Sequence, residues 1–289
     1  MNKTKSLSEY KRRKRIIDGI GTAIVWLFVI AALFPIAWMI LTSFMTQSDI
    51  ATGRIGIPNH WKNYVDMWKN VDFFNYFKNS VIVCGITTVV ALGIATFAGY
   101  AVARFKFPGS GIFGAAVLAT QMVPGIMFLL PLYLMFIKIQ DTLGIQIINT
   151  YAGLILVYSA FYIPFSIWIL RGFFAGIPKE LEEAAIIDGC SGFEAFLKVI
   201  LPIARIGLIA TGIYIFLMAW DELLFAWVLT TSSDVATIPV GIRLYVGNYQ
   251  NRYDLLMAAG CVTTLPPLMI FFGLQKQFIS GMTAGAVKA

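Results

Sequence analysis

Long apolar runs separated by short polar gaps make up most of the chain. Runs near 19–43, 79–103, 112–137, 152–174, 204–229 and 255–275 stand out. Each is close to the roughly 20 residues that carry a helix across the hydrocarbon core of a bilayer. The pattern predicts an all-α membrane protein with six transmembrane helices. Prolines and polar residues interrupt several runs: Gln121 with Pro124 and Pro131 with Tyr133 in the third, Tyr158, Tyr162 and Pro164 in the fourth, Thr263, Thr264, Pro266 and Pro267 in the last. A proline inside a membrane helix frees backbone carbonyls, which are tolerated where neighbours or water satisfy them. Such spans either line a path or are kinked packing helices.

One gap differs from the rest. "KELEEAAIIDGCSGFEAFLKVILP", residues 179–202, gathers five acids in a chain with few charges. Pro178 suits a first helical turn, where its missing N–H costs nothing. Glu180, Glu182 and Glu183 then fall where the helix dipole favours anions. Gly189 suits a helix C-cap. Ser191 followed three residues later by Glu194 is a capping-box pattern, and Pro202 is expected to end the second helix. The segment reads as two short helices joined at a glycine turn. The first is shorter than the roughly 12–15 residues at which an isolated helix becomes stable in water, so it must pack on something. Ala184, Ala185 and Ile187 give it a small apolar side for that contact. On spacing alone, a solvated charged loop stays open as the alternative.

Composition and charge sharpen this picture. Of 289 residues, 58% are hydrophobic and 13% charged, and mean hydropathy is +0.77. Those values exclude a water-soluble globular domain, which needs a charged shell. The formal charge is +7. The main basic cluster, "KTKSLSEYKRRKR", sits directly before the first apolar run, which favours membrane orientation over nucleic-acid binding. If the N-terminus is cytoplasmic, then so are 104–111, 175–203 and the C-terminal tail, and 15 of the 22 basic residues fall on that side. The bias follows the positive-inside rule and places both termini and the acidic segment in the cytoplasm. The run at 16–43 is too long for a signal-peptide core and has no small-residue cleavage site, so the first span is retained. Arg104 and Lys106, beside "FPGSG", are expected to anchor a short cytoplasmic turn. Residues 44–78 and 231–254 are the main outer loops. No repeat or linker divides the chain, and 1–289 reads as a single membrane domain.

Candidate chemistry is sparse. Cys84, Cys190 and Cys261 lack metal spacing and read as small core residues, and the single histidine, His60, lies in a polar loop. Asp221 and Glu222, in "AWDELLFAW", are the sharpest intramembrane feature. Carboxylates there are expensive and usually face a partner or a wet cavity. On a continuous helix Tyr214, Met218, Asp221 and Phe225 share a face that suits sugar hydroxyls and rings. With Glu222 and Gln121 they are candidates for a substrate path. Both acids sitting at the outer membrane edge, or pairing with a partner chain, is the other reading. The chain has no G-x-x-x-x-G-K-[ST] phosphate loop and so no route of that kind to ATP hydrolysis.

"EAAIIDG", nine further residues and then "VILP" resemble the EAA signature of bacterial ATP-binding-cassette importer permeases. Glu183, Ala184, Ala185 and Gly189 match its first part, and Val199, Leu201 and Pro202 its close, with Val199 where isoleucine is usual. "AGYAVARFKFPG" (98–109), "GFFAGIPKELEEAA" (172–185) and "LQKQFISGMTAGAVK" (274–288) resemble the maltose-type, carbohydrate-uptake branch, and within it the smaller permease partner. The resemblance covers nearly the whole chain. It implies a type I importer permease whose coupling-helix pair docks into an ATPase subunit through Glu183, Ala184, Ala185, Asp188, Gly189, Leu201 and Pro202. It also implies a tail that reaches between the ATPases through Gly281, Thr283, Gly285 and Lys288. The implied partners are two ATPase subunits, which would bind ATP and Mg while this chain binds no cofactor, a second homologous permease, forming a heterodimer, and an extracytoplasmic solute-binding protein that delivers sugar. The implied location is the bacterial inner membrane. The family usually has Asn before Glu where Asp221 stands, which leaves the role of Asp221 open. Three alternatives remain: a permease for a non-sugar solute such as glycerol phosphate, an ion-coupled secondary transporter using Asp221 and Glu222, and a membrane enzyme, for which the acids at 180–194 lack a nucleophile or metal partner.

Overall fold

The structure is a computed structural model. It describes the backbone of residues 2–286 apart from 55, 57, 106, 107 and 248–250, with side chains from Arg13 to Gln275 over the same stretches. Among the described residues fourteen α-helices follow in order. They are α1 (Asn2–Ser43), α2 (Gln47–Thr52), α3 (Asn63–Asn70), α4 (Phe73–Arg104), α5 (Ser110–Met122), α6 (Ile126–Leu143), α7 (Tyr151–Ala175), α8 (Glu180–Ile187), α9 (Gly192–Ala195), α10 (Leu201–Ile203), α11 (Arg205–Trp220), α12 (Leu224–Leu229), α13 (Ile238–Ile242) and α14 (Tyr253–Ala286). A π-helical stretch, Phe196–Ile200, joins α9 to α10. Among the described residues there is no strand, only an isolated bridge between Val246 and Asn251.

Among the described residues five helices are long and apolar enough to cross a bilayer, or six when Gly192–Ile203 and Arg205–Trp220, bent by 73°, are taken as one broken segment. The class read from the sequence is therefore present, but two spans differ in form. The expected third span is broken at Val123–Gly125 into α5 and α6, because Pro124 and Gly125 withdraw an amide donor and helix propensity together. The expected fifth span is broken at Asp221–Leu223 into α11 and α12.

Small residues set the centre of the bundle. Thr87, Ala91, Ala95 and Gly99 recur every four residues along α4 and are all buried. In a membrane, where apolar surface alone gives no drive to associate, such a stripe lets helix backbones approach closely. Gly99 shows how closely: a Cβ there would sit 3.0 Å from Leu170 Cβ and 3.2 Å from the Arg171 amide nitrogen of α7.

The segments between spans are tied down by side chains that satisfy their backbone. On the face away from the N-terminus, buried Asn63 donates to the carbonyls of Ser43 and Met45 at 2.9 and 2.8 Å. Asn79 of α4 donates to Ser233 and Ala236, both at 2.9 Å, and Ser80 accepts from the Ile238 amide at 2.8 Å. Tyr245 reaches back to the Met67 carbonyl at 2.5 Å. Buried backbone groups need such partners, and these bonds fix 44–72 and 230–246 onto the bundle. The opposite face, which carries the N-terminus, holds the end of α4, the start of α5 and the α8–α10 segment.

Candidate coupling segment and intramembrane polar site

The acidic segment folds as the sequence predicts in its first half. Helix α8 closes in a Schellman motif: the Gly189 amide donates to Ile186 O at 3.0 Å and the Cys190 amide to Ala185 O at 3.0 Å. Gly189 takes φ +94°, a conformation glycine adopts without steric cost. Ser191 then opens α9 with a complete capping box, its hydroxyl accepting from the Glu194 amide at 3.2 Å and its amide donating to Glu194 Oε2 at 2.9 Å. Lys198, one turn on, pairs with Glu194 at 2.8 Å. The lysine hydrogen bond, with the Ser191 amide and hydroxyl, holds the Glu194 carboxyl down to about 2.

Two expectations change here. Pro178 lies just ahead of α8 rather than in it, and the Lys179 carbonyl accepts from the Glu182 and Glu183 amides of the first turn. Pro202 does not end the second helix: it lies inside α10, and the chain turns only at Ala204. Without an amide, Pro202 cannot supply the usual i+4 donor to the Lys198 carbonyl, and its ring crowds the turn before it. The backbone widens instead to a π register, with the Leu201 amide reaching Phe196 O.

The docking candidates fall on different sides of this segment. Glu183, Ala184, Asp188, Gly189 and Pro202 are exposed and Leu201 is half-buried. Ile187 beside them is 84% exposed. Ala185 is buried, packed against the chain's own π stretch, where it seats α8. Gly281, Thr283 and Gly285 lie in the backbone of α14 past the described side chains, and Lys288 lies outside the described residues.

The sequence reading passed over the residue that holds α8 to the bundle. Glu182 accepts a hydrogen bond from the Tyr100 hydroxyl and lies 3.2 Å from Arg104 Nε. Its side chain is 17% exposed and that of Arg104 is 5% exposed. Arg104 therefore anchors the acidic segment rather than the nearby turn. Tyr100 is also ringed by aromatics, with Phe196 at 4.4 Å and Phe174 at 5.6 Å between centroids.

The substrate-path candidates do not form one helical face. Tyr214 and Met218 lie on α11, Asp221 is exposed at its end, and Phe225 belongs to α12, buried against Phe161 at 4.7 Å. Glu222 is committed locally. Its two oxygens accept the Phe225 and Ala226 amides at 2.9 and 3.0 Å, capping the start of α12, where the helix dipole favours an anion. Asp221 has no side-chain hydrogen bond or ion pair among the described residues. Tyr162 of α7 donates to the Met218 carbonyl at 3.0 Å, and Gln121 donates to Phe161 O at 3.2 Å. Gln121 also lines an open cavity of about 370 Å³ with Thr120, Phe128, Phe161 and Pro164. The cavity is apolar and separate from the α11–α12 break.

The fold is a multi-span helical bundle with a capped helix pair on one face. Residues 91–284 match the family described as "binding-protein-dependent transport system inner membrane component", and the chain belongs to it. It is thus a multi-pass protein of the inner membrane. Among curated relatives, it is 36% identical to the probable ABC transporter permease protein YurM of Bacillus subtilis over 97% of this chain and 93% of that one. It is 35% identical to the trehalose/maltose transport system permease protein MalG of Thermococcus litoralis, covering 95% and 97%, and 32% identical to the diacetylchitobiose uptake system permease protein NgcG of Streptomyces coelicolor, covering 95% and 90%. The fold is similar to a chain in the crystal structure of a bacterial ABC transporter that imports the acidic polysaccharide alginate, with TM-score 0.78 and 19% identity over 92% of this chain and 98% of that one.

Proposed function

We propose that this chain is one of two permease subunits of an ATP-driven sugar importer, with separate ATPase subunits binding ATP and Mg. A relative's name gives trehalose and maltose as its cargo, and another's gives diacetylchitobiose. The observation that carries the coupling half of the reading is the α8–α9 pair. Its joint is fixed by a Schellman turn and a capping box, yet it leaves Glu183 and Ile187 open to a partner. Glu183, Asp188 and the Gly189 turn dock on the ATPase, and Gly281 to Lys288 reach it from the C-terminal tail. In this orientation both termini and α8–α10 are cytoplasmic. The loops 44–78 and 231–254 face an extracytoplasmic binding protein, and Asp221 is the open carboxylate of the path. Binding and release of ATP shift the bundle between two access states through their unequal affinity for them.

The test is uptake of labelled trehalose, maltose, diacetylchitobiose and glycerol phosphate into vesicles, with the ATPase, partner permease and binding protein encoded beside this chain present or omitted. ATP-dependent uptake of one of the sugars, lost when the ATPase is omitted, is the expected result. Uptake by this chain alone and indifferent to ATP overturns the reading, and uptake of glycerol phosphate alone overturns its sugar half.

A further inference from the structure

We propose that Tyr100, Glu182 and Arg104 form the joint through which movement of α8 reaches α4. Helix α8 is eight residues long and has one buried residue, Ala185. Gly176 to Lys179 separate it from α7, and a π stretch and a 73° bend separate it from α11. Buried Ile177, Phe196 and Ile200 seat those connectors on the bundle, and the polar attachment of α8 itself to α4 is made by side chains. Glu182 lies in the first turn of α8 and Arg104 is the last residue of α4. The carboxylate therefore meets a positive helix end and the guanidinium a negative one. A buried ion pair is weak evidence for stability, since apolar residues of like volume often do as well. What it adds is a defined geometry between two helix ends.

The pair is also unsaturated. Arg104 Nη2 is buried with no hydrogen-bond partner among the described residues, and Nε lies at ion-pair distance without hydrogen-bond geometry. The guanidinium thus keeps free donors with which to follow the carboxylate as α8 shifts. Helix α4 has the reach to pass that shift on. Its 32 residues span about 48 Å at 1.5 Å per residue. Its far end grips 233–238 through Asn79 and Ser80. One rigid element thus carries α8 at one end and the outer loop at the other.

Two measurements test the joint. In the chain alone, with Cys84, Cys190 and Cys261 replaced by alanine, spin labels at exposed Ile187 of α8 and Val89 of α4 report their separation in nanodiscs. Glu182→Gln and Arg104→Met should each at least double the width of the distance distribution, and Arg104→Lys, which keeps the cation, should restore it. Tyr100→Phe keeps the ring in place, should widen the distribution less, and serves if the charge variants do not fold. Unchanged widths overturn the proposal. The second measurement rests on the permease reading and uses the complex purified through this chain. Sugar taken up per ATP hydrolysed should fall at least tenfold in Glu182→Gln, with the ATPase still co-purifying and hydrolysing. A proportional loss of uptake and hydrolysis, or loss of co-purification, reduces the joint to a structural contact and overturns it. A wild-type complex without ATP-dependent uptake would sink the permease reading and leave the distance result standing.

Discussion

The Trp220 indole N–H donates to the Thr263 carbonyl at 3.1 Å, the carbonyl left without its helical donor by Pro267 four residues on. Trp220 is 4% exposed and meets Phe77 edge-on at 6.0 Å. Trp220→Phe should keep much of the packing and lose the bond. Interhelical hydrogen bonds in membranes average about 0.6 kcal/mol and reach about 1.7, so a loss near that upper value is expected for so buried a carbonyl. Pro267→Ala restores a backbone donor, and in that background the Trp220→Phe penalty should shrink. Thermal unfolding of the four proteins in detergent closes the cycle.

Gly99→Ala should destabilise the bundle by about 1–3 kcal/mol, the usual cost of overpacking. The added methyl meets the Arg171 amide nitrogen and the Ile167 carbonyl, which are backbone atoms of α7 and cannot swing aside. Gly93→Ala on the same helix meets nothing within 4 Å. It should be neutral or gain up to about 1 kcal/mol from helix propensity. The difference between the two, read as melting temperatures, checks the closeness of α4 and α7.

The adjacent carboxylates should behave unlike each other. Glu222→Ala strips the acceptor from two amides at the start of α12 and should cost about 1–2 kcal/mol, as the loss of an N-cap does. Glu222→Gln, with one acceptor oxygen, should fall between. Asp221→Asn should leave stability within about 0.5 kcal/mol, as exposed substitutions do, while lowering uptake if Asp221 faces the path. Melting temperature and transport rate, measured side by side, separate the two roles.

At the acidic segment, Gly189→Ala forces a side chain into φ +94° and should cost about 1 kcal/mol. Ser191→Ala removes one arm of the capping box at a similar cost. Both should raise amide hydrogen exchange in 185–195 and leave exchange in α4 and α7 unchanged. Exchange that rises across the whole bundle would mean that the segment is not an independent unit.

Much of this architecture was legible in the sequence because its causes are local. The apolar runs, the Ser191–Glu194 box and the Gly189 turn each depend on residues within a few positions. Pro124–Gly125 likewise announced a disturbance in the third run. The break at Asp221 was hidden, because "AWDELLFAW" reads as a continuing apolar helix and only the Glu222 carboxylate folded onto α12 divides it. Glu182 was hidden for a different reason. Nothing in "KELEEAA" separates it from Glu180 and Glu183, and its partners Tyr100 and Arg104 are about 80 residues away. The Thr87–Gly99 stripe went unread, since small residues in an apolar run give no sign of the helix they face, and α7 lies about 70 residues on.

Helix α1 has one further consequence. From Ile16 to Leu41 it is about 39 Å of apolar helix at 1.5 Å per residue, against a hydrocarbon core of about 30 Å. Its flanks from Ile16 to Phe34 are open to their surroundings, and within the chain it packs mainly on α14. An overlong helix settles such a mismatch by leaning or by thickening the lipid around it. Bilayers of short acyl chains should recline α1 and long ones stand it upright, a dependence that its tilt in bilayers of graded thickness measures.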